Sequence, residues 1–214
     1  PYLTGSTPPL DFENVRVFDD QTEFVSPHRH RMTLPLEILL QEWDTSVEHY
    51  VHFSACAAGA AAIGHGMELI RSGAKDLVLV GASDAMIHPY GLIPFAKLGA
   101  TSTEVEPRAA ARPFDKGRSG FVMGETAAFY VLESAAHAAA RGRHSYATVH
   151  GWGSSCDAHN VTAPHPEGLG ALVSMQNALE DAQLRATDIQ YINAHGTGTQ
   201  LNDTTEAMAI KQLF

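Results

Sequence analysis

The sequence predicts an α/β fold, because strand-like and helix-like patterns alternate along residues 51–214. The clearest strand is Asp76–Ala82, a short unbroken apolar run of the kind found in strands that are buried on both faces. The clearest helices are Ala57–Ile70, an alanine-rich segment with small residues for its packing face, and Gly168–Ala182, which carries an apolar stripe. This alternation indicates packed layers of helices and strands.

The remaining elements follow from shorter patterns. Residues 1–50 are predicted to be an irregular N-terminal segment, with a short strand at Val15–Phe18 and one helix at Leu34–Trp43. The other predicted elements are strands at Val51–Phe53, Tyr146–Gly151 and Ile189–Ala194, two strands around a Gly-Glu turn within 120–133, and a helix at Ser134–Arg141.

The C-terminal segment predicts one more helix. Asp203 is expected to cap it, and Glu206, three residues later, would complete a capping box. Ala207, Ile210 and Phe214 are expected to face inward from this helix.

Composition limits the function classes. The 214 residues include 14 basic and 24 acidic side chains, and a net charge of −10 disfavours nucleic acids and anionic membranes as partners. Two cysteines indicate free thiols in a reducing, cytoplasmic setting. The sequence shows neither a long apolar run nor a signal peptide, and no metal site is expected. A start at Pro1 and an end within a helical pattern lead us to expect a partial chain.

The first chemically suggestive junction is Ser54–Gly59, where a predicted strand meets a predicted helix at Cys56. A helix N-terminus carries partial positive charge, which favours a thiolate and makes a better nucleophile. Cys56 could also be a small buried residue of an alanine-rich helix, and this segment alone favours that interpretation.

The second junction is Asn193–Thr199, where a predicted strand ends at His195 and a loop of glycines and threonines leads into a helix. Gly196 and Gly198 permit left-handed turns, and Thr197 and Thr199 place hydroxyl groups on the loop. A catalytic histidine and a histidine with a purely structural role are about equally supported by this segment alone.

Taken together, three motifs carry a resemblance. SACAAG at 54–59, RPFD followed by GFVMGE within 112–125, and NAHGTGT followed by ND and Glu206 occur in that order. The chain from Val51 to Phe214 thereby resembles the β-ketoacyl-acyl-carrier-protein synthases. The resemblance implies a thiolase-like α-β-α-β-α layered fold, incomplete at its N- and C-terminal sides. Residues 51–140 would be the nucleophile-bearing part of the first half, and residues 141–214 the start of the second half.

The resemblance also implies roles for individual residues. Cys56 aligns with the cysteine that takes the acyl group as a thioester, and His195 aligns with the first of two catalytic histidines, which stabilises an enolate. Thr197 and Thr199 align with a pair that binds the phosphopantetheine arm of acyl carrier protein.

Other positions receive supporting roles. Phe95 lies where the family has a gating aromatic residue, and Asp203 and Glu206 are implied to be structural residues near the site. Residues 154–166 resemble the loop that lines the substrate approach, and Cys156 within it matches no catalytic position. The family's second catalytic histidine and a preceding lysine have no counterpart before Phe214.

The implied function is that of an acyltransferase. Acyl transfer to Cys56 would be followed by decarboxylative condensation with malonyl-acyl-carrier protein, in fatty-acid or polyketide synthesis, with no bound cofactor. The implied partners are acyl carrier protein and a second subunit, in a homodimer or in a heterodimer with a related ketosynthase-like chain. Arg112, Lys116 and Arg118 form a small basic cluster in sequence that could meet an acidic carrier.

Three alternatives stay open. One is a thiolase that uses coenzyme A, and another is a non-catalytic partner subunit of a ketosynthase heterodimer. The third is a Cys-His hydrolase, which would need a third, orienting residue that the sequence does not mark.

Overall fold

The computed structural model describes residues 33–44 and 47–214. The chain divides into two compact units, Pro1–Tyr50 and Val51–Phe214. The helices of the described residues are α1 (Leu34–Glu42), α2 (Ala58–Arg71), α3 (Pro89–Lys97), α4 (Pro107–Ala110), α5 (Ala135–Ala140), α6 (Leu169–Ala182) and α7 (Gln200–Leu213). The strands are β1 (Leu77–Ala85) and β2 (Glu125–Glu133), and short 3-10 turns occur at Ala55–Ala57 and Ala186–Asp188.

In the first unit, α1 confirms the helix predicted at Leu34–Trp43. Pro35 lies in its first turn, where a missing N–H costs no helical hydrogen bond. The Thr33 hydroxyl donates to Glu37 Oε1 at 2.7 Å, which fixes the start of the helix. The strand predicted at Val15–Phe18 lies outside the described residues.

In the second unit, β1 and β2 form an antiparallel pair, in register from Leu77 opposite Glu133 to Ala85 opposite Glu125. The predicted strand at Asp76–Ala82 is confirmed, but the expectation that it is buried on both faces is wrong, since Leu77 and Leu79 are 45% and 43% exposed. The prediction of two strands around a Gly-Glu turn within 120–133 is wrong, because β2 is a single strand that pairs along its length with β1. Phe121 instead makes an isolated bridge with Thr101.

Helix α2 packs on one face of this pair, and its small residues allow the close approach. Gly64, Gly66 and Met67 are its buried residues. A Cβ atom at Gly66 would lie 2.6 Å from a methyl group of Val80 and 3.0 Å from one of Leu132, so the glycine is needed for the sheet to sit this near. The predicted helix at Ala57–Ile70, with small residues on its packing face, is therefore confirmed.

Three other predicted strands are not formed. Within the described part of the chain, the sheet has two strands, β1 and β2, and it does not include the segments 51–53, 146–151 and 189–194. The second of these segments leads into Gly151 and Gly153, which lie directly against the backbone of α6. An apolar run satisfies the strand pattern, but a strand also requires a hydrogen-bonding neighbour.

The two long C-terminal helices, α6 and α7, pack against each other. Gly168 has φ +66° at the start of α6, and a Cβ atom there would lie 2.5 Å from the Thr205 carbonyl oxygen of α7. The residues that α7 buries are Asp203, Thr205 and Ala209. The expectation that Phe214 faces inward is wrong, since it is 44% exposed at the end of the helix.

An ion pair links α2 to α6. Arg71 donates to both carboxylate oxygens of Asp181, at 2.5 and 3.2 Å, and also to the carbonyl oxygen of His150 at 3.2 Å. The Trp152 N–H donates to the same carboxylate at 3.0 Å, and the Trp152 ring fills the space beside Gly64. Arg71 and Asp181 thus connect α2, α6 and the segment between them.

We predict that this link makes stability sensitive to acid. The hydrogen bonds from Arg71 and from the Trp152 N–H hold the pKa of Asp181 below its ordinary value. The stabilisation is therefore present above the ordinary pKa of about 4 and is lost as the pH falls through the lower folded-state pKa. Asp181→Asn should lower the free energy of unfolding at about pH 7, and its difference from the unsubstituted chain should shrink at about pH 3.

Urea unfolding at about pH 7 and at about pH 3 measures the free energy of unfolding of both chains. Glu180→Gln, at the exposed neighbouring carboxylate on α6, is the matched control and should change little at either pH. A difference for Asp181→Asn that stays the same at both pH values would contradict the prediction.

Candidate active site

Cys56 lies at the junction between the 51–53 segment and α2. It is the middle residue of the 3-10 turn Ala55–Ala57, which runs directly into α2, and its thiol is exposed. An exposed thiol at the start of a 14-residue helix is accessible to a substrate and lies in the positive field of the helix N-terminus. The alternative of a buried core cysteine is therefore wrong.

The backbone just before Cys56 is strained. Ala55 has φ +48°, in the left-handed region that alanine seldom occupies, at a cost of roughly 1–3 kcal/mol. Such strain is concentrated at functional sites, where the surrounding structure holds a residue in a fixed direction. Sequence reasoning missed this feature, because an alanine carries no signal for positive φ.

The loop that contains His195 is fixed by a carboxylate from α7. Glu206 accepts the His195 N–H at Oε1, at 2.6 Å, and the Gly196 N–H at Oε2, at 2.9 Å. Asn202 adds a donor to the same carboxylate at 3.3 Å. The backbone of His195 is therefore held in place while its side chain lies at an exposed position.

Asp203 does not cap α7, so the predicted capping box is wrong. The helix begins at Gln200 with Thr199 as its N-cap residue, and Asp203 is the fourth residue of the helix. Its carboxylate is buried, and its Oδ1 accepts the Gly198 N–H at 3.0 Å. Its Oδ2 accepts the Phe114 N–H at 2.7 Å, so Asp203 joins the His195 loop to the 112–121 segment.

The two threonines of the loop face each other. Their Oγ1 atoms are 2.8 Å apart, a hydrogen bond in which either can donate. Gly196 and Gly198 have φ +52° and φ +73°, which confirms the left-handed turns that the sequence allows. These turns bring Thr197 and Thr199 to the same side of the loop.

Phe95 reaches the same neighbourhood through Phe121. The ring centroids of Phe95 and Phe121 are 5.4 Å apart in an edge-on arrangement. The Gly120 N–H donates to the Gly198 carbonyl at 2.9 Å, so the segment that holds Phe121 is bonded directly to the His195 loop. The structure therefore assembles Phe95, Phe121 and the His195 loop into one cluster.

Cys56 stands apart from these contacts. Within the described ranges, no side-chain hydrogen bond joins it to the loop, and a Cβ atom at Gly59, near this end of α2, would lie 3.4 Å from the Ala82 side chain of β1. The structure therefore brings the His195 loop, Asp203, Glu206 and Phe95 together and places Cys56 on a separate element.

The basic cluster expected at 112–118 is largely neutralised. Arg112 pairs with Glu104 at 3.0 Å, and Arg118 lies 3.4 Å from the buried Asp203. Lys116 is the exposed cation that remains of the three. The sequence pattern placed Arg118 in a surface cluster and carried no signal for its contacts with the start of α7, which come from residues about 80 positions further along the chain.

The 154–166 segment is anchored beside α6. Ser155 Oγ donates to the Gly170 carbonyl at 2.6 Å, and Asp157 accepts the His165 N–H at 3.0 Å. Cys156 is exposed, like Cys56, but follows no strand-to-helix junction. Among the residues described, no group of three or more His, Cys, Asp or Glu side chains could hold a metal ion, and no helix is long and apolar enough to cross a membrane.

The fold is that of the thiolase-like ketosynthases. The chain is similar to the AntDE:AntF complex, a type II polyketide synthase acyl-carrier protein with its ketosynthase bound to the hexaketide. The TM-score is 0.81 and the identity 36%, over 86% of this chain and 45% of that one. The ishigamide ketosynthase/chain length factor matches with a TM-score of 0.75 and 39% identity, over 83% of this chain and 42% of that one.

The sequence profile of the β-ketoacyl synthase N-terminal domain matches residues 14–138, and that of the C-terminal domain matches residues 146–214. The chain therefore belongs to the β-ketoacyl synthase family. It is 42% identical to 3-oxoacyl-[acyl-carrier-protein] synthase 2 of Staphylococcus aureus over 75% of this chain and 40% of that protein. The chain spans less than half the length of the curated relatives it matches.

We predict that Glu206→Gln loosens the His195 loop. An amide offers one acceptor oxygen where the carboxylate offers two, so one of the His195 and Gly196 N–H groups loses its partner, at a cost of about 1–3 kcal/mol. Hydrogen exchange at these two amides should accelerate. Glu167→Gln, at an exposed position before α6, is the control. Unchanged exchange at both amides in Glu206→Gln would show that the carboxylate does not hold the loop.

Proposed function

We propose that this chain carries part of the active site of a β-ketoacyl-acyl-carrier-protein synthase. The observation that carries the proposal is the His195 loop, whose backbone is fixed by Glu206 and Asp203 while the His195 side chain lies at an exposed position. The exposed thiol of Cys56 at the start of α2 supplies the nucleophile. Family membership supports both assignments.

In the first half-reaction, the sulfur of Cys56 attacks the carbonyl carbon of an acyl thioester. The new C–S bond forms as the phosphopantetheine thiol leaves with the electron pair of the old one, so the acyl group moves to Cys56. The turn that contains Ala55 leads into α2 with the thiol of Cys56 exposed, so an acyl thioester can reach the sulfur.

In the second half-reaction, malonyl thioester loses its carboxylate as carbon dioxide. The electron pair of the broken C–C bond becomes an enolate, and an N–H of His195 donates to the enolate oxygen. A well-placed donor of this kind stabilises the transition state by roughly 3–4 kcal/mol. The enolate carbon then attacks the acyl carbonyl on Cys56, and the thiolate leaves as the new C–C bond forms.

The phosphopantetheine arm would bind at the paired hydroxyls of Thr197 and Thr199. Their 2.8 Å separation sets one donor and several acceptor positions side by side, which suits the amide groups of the arm. Phe95, through its contact with Phe121, would border the acyl end of the substrate. The carrier would be an acyl carrier protein, as in the AntDE:AntF complex.

A second candidate is a non-catalytic partner subunit, favoured by similarity to a ketosynthase/chain length factor. The accessible Cys56 argues for the catalytic role, because a subunit without chemistry has no need of a strained turn and an exposed thiol there. Assembly as a homodimer or as a heterodimer with a related chain is proposed on the same similarity. Three points stay predictions. The pathway is fatty-acid or polyketide synthesis, the location is cytoplasmic, and the substrate is carried on acyl carrier protein and not on coenzyme A.

We predict that the chain, incubated with an acyl-acyl-carrier-protein thioester, gains the mass of one acyl group. Cys56→Ser should abolish the adduct, because the weaker hydroxyl nucleophile replaces the thiol. Cys156→Ser is the matched control, since Cys156 is also exposed and should leave the adduct intact. Intact-mass spectrometry measures both. An adduct that survives Cys56→Ser, or none on folded protein, would count against the proposal.

We predict that His195→Ala slows malonyl-thioester decarboxylation by about 10²–10³-fold, the effect of removing one oxyanion donor. Acyl transfer to Cys56 should change much less, because that step does not form the enolate. Release of carbon dioxide and acyl-adduct formation are followed separately. His144→Ala, at an exposed histidine far along the chain from the loop, is the control. Equal losses in both half-reactions would reject this role for His195.

A further inference from the structure

Arg118 lies in the 112–121 segment, but its guanidinium group reaches the start of α7. Its Nε donates to the Thr199 carbonyl at 3.1 Å, and its Nη2 donates to the Gln200 carbonyl at 3.0 Å. Nη2 also donates to the Thr204 hydroxyl at 3.1 Å. The planar guanidinium group of Arg118 therefore binds three acceptors within the first five residues of α7 and its N-cap residue.

The bonds run in both directions. The Gln200 side chain donates back to the Arg118 carbonyl at 2.8 Å, and the Gly120 N–H donates to the Gly198 carbonyl at 2.9 Å. Asp203 completes the link, since its carboxylate lies 3.4 Å from Arg118 Nε and also accepts the Gly198 N–H. The loop from Gly198 to Gln200 is thus fixed on its backbone at three successive residues.

The Arg118 side chain is 12% exposed and the Asp203 side chain 1% exposed. A charged group with this environment gains its stability from fixed partners and not from water. An arginine that met an acidic protein at the surface would present its guanidinium outward. The direction of the Arg118 fork, toward backbone carbonyls of its own chain, indicates an internal task.

We propose that Arg118 is a positioning residue that fixes the Thr197–Thr199 loop and thereby sets the affinity for the phosphopantetheine arm. The proposal rests on the function proposed above. Arg118 holds the Thr199 carbonyl, and Thr199 in turn holds the Thr197 hydroxyl at 2.8 Å. When the fork is lost, both hydroxyls lose their fixed relation to each other. Cys56 lies outside this network, so its intrinsic reactivity stays the same.

The test compares Arg118→Gln and Arg118→Lys with Lys116→Gln, which removes an exposed charge from the same segment. Hydrogen exchange is followed at the amides of 195–200, with peptides from α2 and α6 reporting on overall folding. Acylation of Cys56 is then measured against the concentration of two thioesters, one on acyl carrier protein and one on free pantetheine. Each titration separates the half-saturating concentration from the maximal rate.

We expect Arg118→Gln to accelerate exchange at 195–200 about tenfold, with α2 and α6 unchanged. The half-saturating concentration should rise about tenfold for both thioesters, as for the loss of one charge-assisted hydrogen bond, while the maximal rate stays within about threefold. Arg118→Lys, which keeps the charge but not the fork, should give values between those of Arg118→Gln and of the unsubstituted chain. Lys116→Gln should match the unsubstituted chain in hydrogen exchange and in acylation by the pantetheine thioester.

Three results would overturn the proposal. Unchanged exchange at 195–200 would show that Arg118 does not fix the loop, whether or not the chain is acylated. A rise in the half-saturating concentration of the carrier-protein thioester alone would show that Arg118 is a surface contact for the carrier. A lower maximal rate with no change in half-saturation, in both Arg118→Gln and Arg118→Lys, would mean a general folding role.

The two proposals fail separately. If the unsubstituted, folded chain takes no acyl group from either thioester, the ketosynthase function proposed above fails. The exchange experiment then decides by itself whether Arg118 fixes the loop: faster exchange confined to 195–200 supports it, and unchanged exchange rejects it.

Discussion

The buried carboxylate of Asp203 is the contact on which the candidate site depends. One oxygen accepts the Gly198 N–H and the other the Phe114 N–H, and Arg118 lies beside it with its positive charge. A buried charge is tolerated only when hydrogen bonds and an opposite charge replace its hydration. Those partners come from two loops that are far apart in sequence. The hydrogen bonds to this one carboxylate therefore also fix the positions of the two loops relative to each other.

Phe114 shows what this arrangement demands of the backbone. It has φ +65°, a conformation that costs a bulky residue energy, and its N–H points at Asp203. Its ring edge lies 3.3 Å from where a Cβ atom would stand at Gly196. Asp203 holds the backbone of Phe114 and of Gly198, and Glu206 holds that of Gly196. These two carboxylates of α7 therefore keep the phenylalanine ring and the glycine in contact and fix the position of the His195 loop.

A different constraint operates at the other junction. There the close packing of α2 on β1 and β2, through Gly66 and neighbouring small residues, sets where the helix begins relative to the sheet. The strained turn at Ala55 then leads into the helix with Cys56 exposed. The position of Cys56 thus depends on helix-to-sheet packing, whereas the position of the His195 loop depends on a polar network. A substitution near Cys56 therefore acts through the packing of α2 on the sheet, and a substitution near His195 acts through the polar network.

By itself, the sequence determined the elements whose pattern is local. The apolar period of α2 and α6, the continuous apolar run of β1, and the glycines of the His195 loop all encode their structure within a few residues. The motifs around Cys56 and His195 likewise determined the family. Only the tertiary structure decided which apolar runs become strands, because pairing requires a neighbour that the local pattern does not specify. The tertiary structure also decided that Asp203 bridges two loops, where the motif suggested a helix cap, and that Arg118 binds groups of its own chain. A charged side chain has several possible partners, and long-range hydrogen bonds and burial determine which of them it binds.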